Sequence, residues 1–358
     1  MKGREVKTIY VGMSGGVDSS VSAALLKKQG FNIVGVFIKV WQPDFVECTW
    51  REDRLDAMRV CAKLEIPFIT LDLEKEYKKD VADYMINEYK IGRTPNPDVM
   101  CNKYVKFGAF FDWAIRQGAN YIATGHYAKI GKLNDKTLLL AGDDKNKDQS
   151  YFLWTLTQKE LIKTIFPVGD IEKPEVRKIA DKFGLSTSVK KDSQGVCFLG
   201  KFDMKDFLAH YIKEISGDVL NENGEKIGRH DGALYLTVGQ RHGFEITEKT
   251  PNDTPYYIIK KDIGKNTITV SKEKINQNES ESKIVKIKDI NWTTGRVPDF
   301  SKKYSARIRY RQPLEECILL KNGENIEVNF TNPQKAITSG QSVVIYDNEI
   351  CLGGGIII

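Results

Sequence analysis

The run Ser14-Gly15-Gly16-Val17-Asp18-Ser19-Ser20 follows directly on the apolar stretch Thr8-Ile9-Tyr10-Val11. A strand, a glycine turn and then a helix is the order that holds a phosphate group. Paired glycines let backbone N–H groups approach an anion that a Cβ would keep away. Ser14, Asp18 and Ser19 add side-chain oxygens. The helix predicted over Val17–Gln29 ends at Gly30, a natural stop, and its free N–H groups face the same anion. The plain alternative is a turn that only caps a helix. No G-x-x-x-x-G-K-[ST] string occurs in the chain, and no full G-x-G-x-x-G follows this strand, so neither a Walker loop nor a dinucleotide fingerprint is present.

A second chemical signal lies in cysteines. The segment from Gly92 to Lys103 reads GRTPNPDVMCNK. Prolines on both sides of Asn96 predict a stiff, kinked loop that ends at Cys101, with Asn102 capping the next helix. A cysteine at a helix N-terminus, with Lys103 and Lys106 nearby, meets the conditions for a thiolate nucleophile. Cys197 lies in the glycine-bearing loop KKDSQGVCFLG beside Lys190 and Lys191. Two electropositive loop cysteines in a chain that also carries a phosphate loop suggest sulfur transfer through disulfide or persulfide intermediates. The competing reading of each is an inert thiol. Cys61, Cys317 and Cys351 sit in apolar patterns and are expected to be buried, and Cys48 has no clear role. No C-x-x-C occurs, which argues against a zinc ribbon or a disulfide framework.

Other residues carry both a structural and a functional reading. His126 follows a predicted strand in GHY and is either a core histidine or a site residue. Arg307, Arg309 and Arg311 alternate; on a strand they would share one face, solvated or acting as a comb for phosphates. Asp143, Asp144, Lys145, Lys147 and Asp148 read as an exposed charged turn.

These residues must be positioned by a scaffold, and the first third of the chain supplies one. Strands are predicted at Thr8–Gly12, Asn32–Ile38, Pro67–Leu73 and Asn120–Thr124, with helices at Arg51–Leu64, Glu74–Tyr89 and Asn102–Gln117. The alternation predicts an α/β doubly wound parallel sheet, whose ligands sit beyond the strands' carboxyl ends. The serine-glycine loop and Gly125-His126 both fall there. From Ser150 to Lys213 the pattern is mostly helical, with a helix over Glu175–Phe183 between Pro174 and Gly184. Beyond Gly217, short β-rich runs dominate. Tyr256–Val270 reads as a hairpin around Gly264-Lys265-Asn266. Runs at Ser305–Tyr310, Cys317–Leu320, Ile326–Phe330, Ser342–Tyr346 and Glu349–Leu352 predict a small antiparallel barrel. Lys272–Lys283 is the best linker candidate.

The chain's 358 residues suit two or three domains. A hydrophobic share of 41% and a charged share of 28% describe a globular protein, and no apolar run is long enough for a membrane helix. The start, MKGREVKTIYVG, has no long apolar stretch, so a cytoplasmic location is expected. A net charge of +6 is compatible with a nucleic-acid partner.

The glycine loop resembles the pyrophosphate (PP) loop of the ATP-pyrophosphatase superfamily, whose members cut ATP between the α and β phosphates and adenylate an oxygen. A closer resemblance spans nearly the whole chain. SGGVDSS at Ser14, NPDVMCN at Asn96, ATGHYA at Ala123, KDQSYFL at Lys147, KKDSQGVCFLG at Lys190 and RYRQ at Arg309 are similar, in the same order, to the tRNA-specific 2-thiouridylase family. The resemblance implies an adenine nucleotide alpha hydrolase-like PP-loop domain with a helical extension over 1–213. A small central β-rich domain over 214–272 and a C-terminal antiparallel β-barrel over 273–358 follow. It implies sulfur replacing the C2 oxygen of a wobble uridine, with ATP and accompanying Mg²⁺ as cofactors. The implied partners are a tRNA anticodon loop and a cysteine desulfurase or sulfur-relay protein.

Residue by residue, the resemblance gives ATP to Gly12, Met13, Ser14, Gly15, Gly16, Val17, Asp18, Ser19, Ile38 and Gly125. Ile38 stands where methionine is common in the family. The target base falls to Asn96, Pro97 and Asp98, with Asp98 a candidate acid/base. Cys101 becomes the nucleophile and Cys197 the persulfide carrier, the two closing a transient disulfide. Contacts to tRNA fall to His126, Lys147, Asp148, Gln149, Arg309, Tyr310 and Gln341. No protein metal ligand is implied. Two alternatives stay open: another PP-loop enzyme that amidates or ligates, and a tRNA-binding protein with a dead ATP site.

Overall fold

The computed structural model describes residues 6–45, 50–191, 204–213, 215–247, 254–272, 282–335 and 337–358. Strands β1 (Thr8–Gly12), β2 (Asn32–Lys39), β3 (Phe68–Asp72) and β4 (Tyr121–Ala123) are short and rich in β-branched or aromatic residues. Next in the chain come a hairpin of β5 (Ala128–Leu133) and β6 (Lys136–Ala141), then β7 (Thr164–Ile165). Strands β3-β2-β1-β4-β7 form one five-stranded sheet in that order, and every pairing within it is parallel.

Strand alternation sends successive residues to opposite faces, and both faces are covered. Ile9, Val11, Ile33 and Phe37 pack under helices α1 (Val17–Lys28) and α2 (Trp50–Lys63) and the helix Lys173–Lys182. On the other face Tyr10, Val34, Val36 and Ile38 meet Val99, Cys101, Val105 and Phe110. The doubly wound parallel sheet is therefore present. Its strand order reverses between β1 and β4, and ligands of such sheets bind at this kind of switch point.

The segment from Asn96 departs from its predicted form. The flanking prolines do not hold it in a loop. Asn96 is the helix N-cap, its Oδ1 accepting a hydrogen bond from Val99 N at 3.3 Å, and Pro97 occupies the first helical position. Proline is suited to that position, because its missing N–H would be an orphan there and its φ is already helical. The helix runs Pro97–Met100, widens into π-helical turns over Cys101–Phe110, and closes as α-helix over Phe111–Arg116. Asn102 is thus inside the helix, not at its cap.

Residues 150 to 191 are less helical than their pattern suggests. They hold a 3₁₀ turn at Ser150–Leu153, a single turn at Gln158–Leu161, strand β7 and the helix Lys173–Lys182.

A second five-stranded sheet contains β8 (Gly217–Leu220), β9 (Lys226–His230), β10 (Phe244–Ile246), β11 (Tyr257–Asp262) and β12 (Thr267–Ser271), in the order β10-β9-β8-β12-β11. β11 and β12 are the expected hairpin, and Val219, Ile258, Ile268 and Val270 fill this sheet's own core.

The last strands are β13 (Ser282–Trp292), β14 (Lys303–Arg307), β15 (Glu315–Asn322), β16 (Asn325–Gln334), β17 (Ser342–Asp347) and β18 (Ile350–Ile357). They pair in the order β13-β16-β15-β14-β17-β18, and β18 returns to β13, closing an antiparallel barrel. The β5–β6 hairpin adds to the same sheet through β6 and β18, pairing Leu140 with Ile350. A piece of the N-terminal region is therefore stitched onto the barrel's outside. The proposed linker at Lys272–Lys283 lies largely outside the described residues, and β13 already begins at Ser282. No described helix is long and apolar enough to cross a membrane.

Candidate active site at the sheet switch point

The glycine loop leaves β1 with Met13 buried, its N–H donating to Val36 O at 2.8 Å. Gly15 has φ +74°, and a Cβ there would lie 2.2 Å from the Asp53 carbonyl oxygen. Both conformation and space demand glycine. Ser19 Oγ accepts from Ser14 N at 3.2 Å and donates to Gly16 O at 3.2 Å, while Ser14 Oγ accepts from Gly16 N at 3.3 Å. The loop ties itself into a cradle. Among the described residues no side chain caps α1, whose N-cap is Gly16. The first-turn N–H groups are left for a ligand, with the dipole's positive end behind them. Met13 and Val17 contribute backbone only, since their side chains are in the core. Ile38 is likewise buried, near the end of β2.

Asp18 is held from two directions. Its Oδ1 accepts from Tyr127 Oη at 2.7 Å, and Lys173 Nζ reaches both carboxylate oxygens at 2.7 and 2.8 Å. The loop has no lysine of its own, and the fold brings one from 155 positions away. Lys173 begins the helix Lys173–Lys182, and its own N–H donates to Asp144 Oδ2 at 3.0 Å. Gly125, just past β4, packs against the start of α1; a Cβ there would meet Ser19 N at 2.6 Å. The glycine that resemblance gives to the nucleotide is thus required by the approach of β4 to α1.

Anion capacity fits ATP: an uncapped helix start, hydroxyls and a lysine converge on one loop. A protein-held Mg²⁺ fits less well. Among the described residues no group of three or more His, Cys, Asp or Glu side chains could hold a metal, and Asp18 is engaged by Lys173 and Tyr127.

Cys101 departs from its expected setting. It is the fifth residue of its helix, beyond the turn where the dipole acts most strongly, and it is fully buried. The 3₁₀ turn Ser150–Leu153 packs against the same helix, where Asn102 Nδ2 donates to Phe152 O at 3.1 Å. Cys61, Cys317 and Cys351 are buried as expected, and burial pushes each thiol up to about 12. Cys197 and Cys48 lie outside the described residues. Lys190 is described; its ammonium bonds Asp53 Oδ1 at 2.8 Å and Asp56 Oδ2 at 2.6 Å on α2. This ties Lys190, seven positions before Cys197 in the sequence, to the residue that crowds Gly15.

The residues assigned to tRNA divide into two groups. His126 is buried, with Nδ1 2.7 Å from Thr124 Oγ1 and Nε2 3.4 Å from Lys106 Nζ. Burial, with Lys106 beside it, holds its pKa well below the ordinary range, so it is neutral. The core-histidine reading describes its side chain. Asp148 is also buried: it accepts from Gly142 N and Ser150 N and pairs with the buried Arg307. Its carboxylate orders the loop and does not face solvent. Arg307 also bonds Tyr346 Oη at 2.8 Å.

The arginine comb therefore does not form. Arg307 points inward, β14 ends there, and Arg311 has φ +63° beyond the strand, where its Nε donates to Asn146 O. Arg309 is exposed. Tyr310 lies on Phe152, ring centroids 4.6 Å apart, with its Oη donating to Lys147 O at 3.3 Å. Gln149 forms a two-way bond with the Tyr127 backbone. Gln341 Nε2 donates to Thr94 O at 2.9 Å and Pro95 O at 3.0 Å, fastening the barrel to the turn before Asn96. Asn96, Pro97 and Asp98 are half-buried at the helix start beside it. Sequence reasoning missed Lys173 and Tyr127, whose partner Asp18 is remote along the chain.

A lysine-free glycine loop at the switch point of a doubly wound sheet defines the PP-loop class of the HUP fold. Residues 7–201 match a family model described as the tRNA methyl transferase HUP domain. Residues 205–272 match its PRC-barrel domain, and 282–357 match an aminomethyltransferase beta-barrel domain. A tRNA-specific 2-thiouridylase MnmA of Pseudomonas savastanoi pv. phaseolicola is 46% identical over 359 residues, covering 99% of this chain and 94% of the relative. A protein of the same name from Streptococcus thermophilus strain CNRZ 1066 is 45% identical over 353 residues, covering 98% and 94%. The chain belongs to the tRNA-specific 2-thiouridylase MnmA family. Among solved structures, the U34-tRNA thiolase NcsA of Methanococcus maripaludis aligns with a TM-score of 0.35 and 16% identity over 57% of this chain and 64% of that one, too distant to argue from.

Proposed function

We propose that this protein uses ATP to replace the C2 oxygen of a tRNA wobble uridine with sulfur. The observation that carries the reading is the switch-point crevice. An uncapped helix start with Ser14, Ser19, Asp18 and Lys173 forms one wall, and the helix bearing Cys101 packs beneath the same sheet, Trp113 edge-on to Tyr10 at 5.6 Å.

Uracil C2 is a poor electrophile and its oxygen a poor leaving group. The uridine O2 attacks the α-phosphorus of ATP, pyrophosphate leaves, N3 gives its proton to Asp98, and the C2–O bond now ends in AMP. Lys173, steered by Asp18, is placed to meet negative charge on the departing pyrophosphate. Mg²⁺ would travel with the phosphates and neutralise them. The terminal sulfur of a Cys197 persulfide attacks C2, and AMP leaves with the original oxygen. The Cys101 thiolate then attacks Cys197 Sγ, which frees the thiocarbonyl and closes a Cys101–Cys197 disulfide; a dithiol reductant reopens it. Asp98, near the helix start, serves as the acid/base at the base. Water must be kept out, since hydrolysis of the adenylate returns uridine.

Lys147, Gln149, Arg309 and Tyr310 form the tRNA-facing edge, set by the buried Asp148–Arg307 pair and by Gln341. An anticodon-loop base can be splayed into a pocket at modest cost. The units 1–213, 214–272 and 273–358 divide activation, linkage and RNA contact, and a cysteine desulfurase or relay protein supplies sulfur in the cytoplasm. The test is incubation with unmodified tRNA, Mg-ATP, a dithiol reductant and a cysteine desulfurase with cysteine as the persulfide source, followed by mass spectrometry of the digested RNA. Thiouridine dependent on ATP is expected. Pyrophosphate release driven by a small amino acid without tRNA would establish the amidating or ligating alternative instead.

A further inference from the structure

Asp18 has two side-chain partners, Tyr127 Oη and Lys173 Nζ, and one loop is fastened to the backbone of both. At one end of that loop Gln149 N donates to Tyr127 O at 2.8 Å, and Tyr127 N donates back to Gln149 Oε1 at 3.0 Å. At the other end Gly142 lies so close that a Cβ there would be 2.8 Å from Tyr127 O. Between them Asp144 Oδ2 accepts from Lys173 N at 3.0 Å, and its Oδ1 accepts from Asn146 N at 3.0 Å.

The Asp144 bond falls where the helix Lys173–Lys182 is weakest. The first N–H groups of a helix have no partner within it, and the N-cap residue Glu172 supplies no side-chain bond. Asp144 supplies one from 29 positions away, and a carboxylate there also suits the positive end of the helix dipole. Lys173 is the first residue of that helix, so the reach of its ammonium to Asp18 depends on this bond. The barrel grips the same loop: Arg311 Nε donates to Asn146 O at 3.0 Å, Tyr310 Oη to Lys147 O at 3.3 Å, and Arg307 pairs with Asp148.

We propose, on the basis of the thiolation reading above, that Asp144 is a positioning residue for ATP activation: it holds Lys173 on Asp18, where the ammonium meets the departing pyrophosphate. Gln149 does the same for Tyr127, the second anchor of Asp18. Lys147 and Gln149 belong to the tRNA-facing edge, so RNA seated there bears on the loop that sets the charges around ATP. Asp144 acts through Lys173 and not on the nucleotide. The plain alternative, a cap that only stabilises a helix, lowers the melting temperature and has no special link to Lys173.

The experiment measures single-turnover release of pyrophosphate from Mg-ATP with saturating unmodified tRNA, for wild type, Asp144→Ala, Lys173→Met and the double variant. Asp144→Ala should be slower by about 10-fold to 10²-fold, the cost of a small misplacement, while its Kd for tRNA stays within a few-fold. The double variant should be within about 3-fold of Lys173→Met, because a residue that acts through a lost one has little more to lose. Losses that multiply in the double variant overturn the proposal, as does a wild-type rate in Asp144→Ala or a loss that vanishes at saturating tRNA. Absence of tRNA-dependent release in wild type, or an unchanged rate in Lys173→Met, sinks the underlying reading first and the proposal with it. If Asp144→Ala proves unfolded by circular dichroism, Asp144→Asn, which keeps one of the two acceptor oxygens, takes its place and the same results decide.

Discussion

In the proposed mechanism Asp18 and Lys173 let a phosphate loop work without a lysine in its motif. The ammonium contacts both oxygens of a carboxylate at the start of α1. Lys173→Met should leave the fold intact and slow tRNA-dependent pyrophosphate release about 10²–10³-fold, the range seen when one preorganised charge donor is removed. Equal rates in a pyrophosphate-coupled assay would refute this role. His126 makes a pH prediction. Its folded pKa lies well below the ordinary 6.5, so below about that pH the unfolded chain binds a proton that the folded one refuses. Its contribution to stability is whole above about 6.5 and is lost as pH falls below it. His126→Gln should flatten the fall in melting temperature between about pH 7 and pH 5, measured by scanning fluorimetry. The loop residues Gly15, Asp18 and Ser19 were legible from the strand–glycine–helix order of their own segment, although the partners of Asp18, Tyr127 and Lys173, are remote. Lys173 was not, since nothing in its neighbourhood announces a carboxylate 155 positions away.

The helix that begins at Pro97 is the element where pattern reading and structure part. Two prolines in three residues read as a helix-free loop, but only Pro97 lies within the helix, at the position that tolerates it. Asn96, not Asn102, caps it, which moves Cys101 from an exposed terminus to a buried turn. Asn96→Ala should cost about 1 kcal/mol by thermal denaturation, the usual value of such a cap, and should lower thiolation further by loosening the target-base wall. The β1, β2, β3 and β4 strands were readable from apolar runs bounded by glycine or polar residues. The β5–β6 hairpin was not recognised, because its run Ala128–Ala141 looks like any exposed hairpin until β18 pairs with it.

At the scale of the whole molecule, the barrel is built into the site. Arg307 of β14 and Asp148 of the loop form a buried pair, and Gln341 grips the carbonyls of Thr94 and Pro95. Sequence alternation suggested Arg307 as an RNA contact; only the closed barrel reveals that its face is inward. Arg307→Ala leaves a buried carboxylate unpaired and should destabilise the protein by about 3–5 kcal/mol, with the loss visible as a lowered melting temperature. Arg309→Ala, on an exposed side chain, should leave melting unchanged and weaken tRNA binding, more at low salt than at high salt.

In the proposed mechanism ATP activates the very oxygen that sulfur replaces. The direct measurement uses tRNA synthesised with ¹⁸O at C2 of the wobble uridine, turned over with ATP and a sulfur source, with the released AMP weighed by mass spectrometry. AMP should carry one ¹⁸O for each thiouridine formed. Unlabelled AMP alongside thiolated tRNA would contradict it.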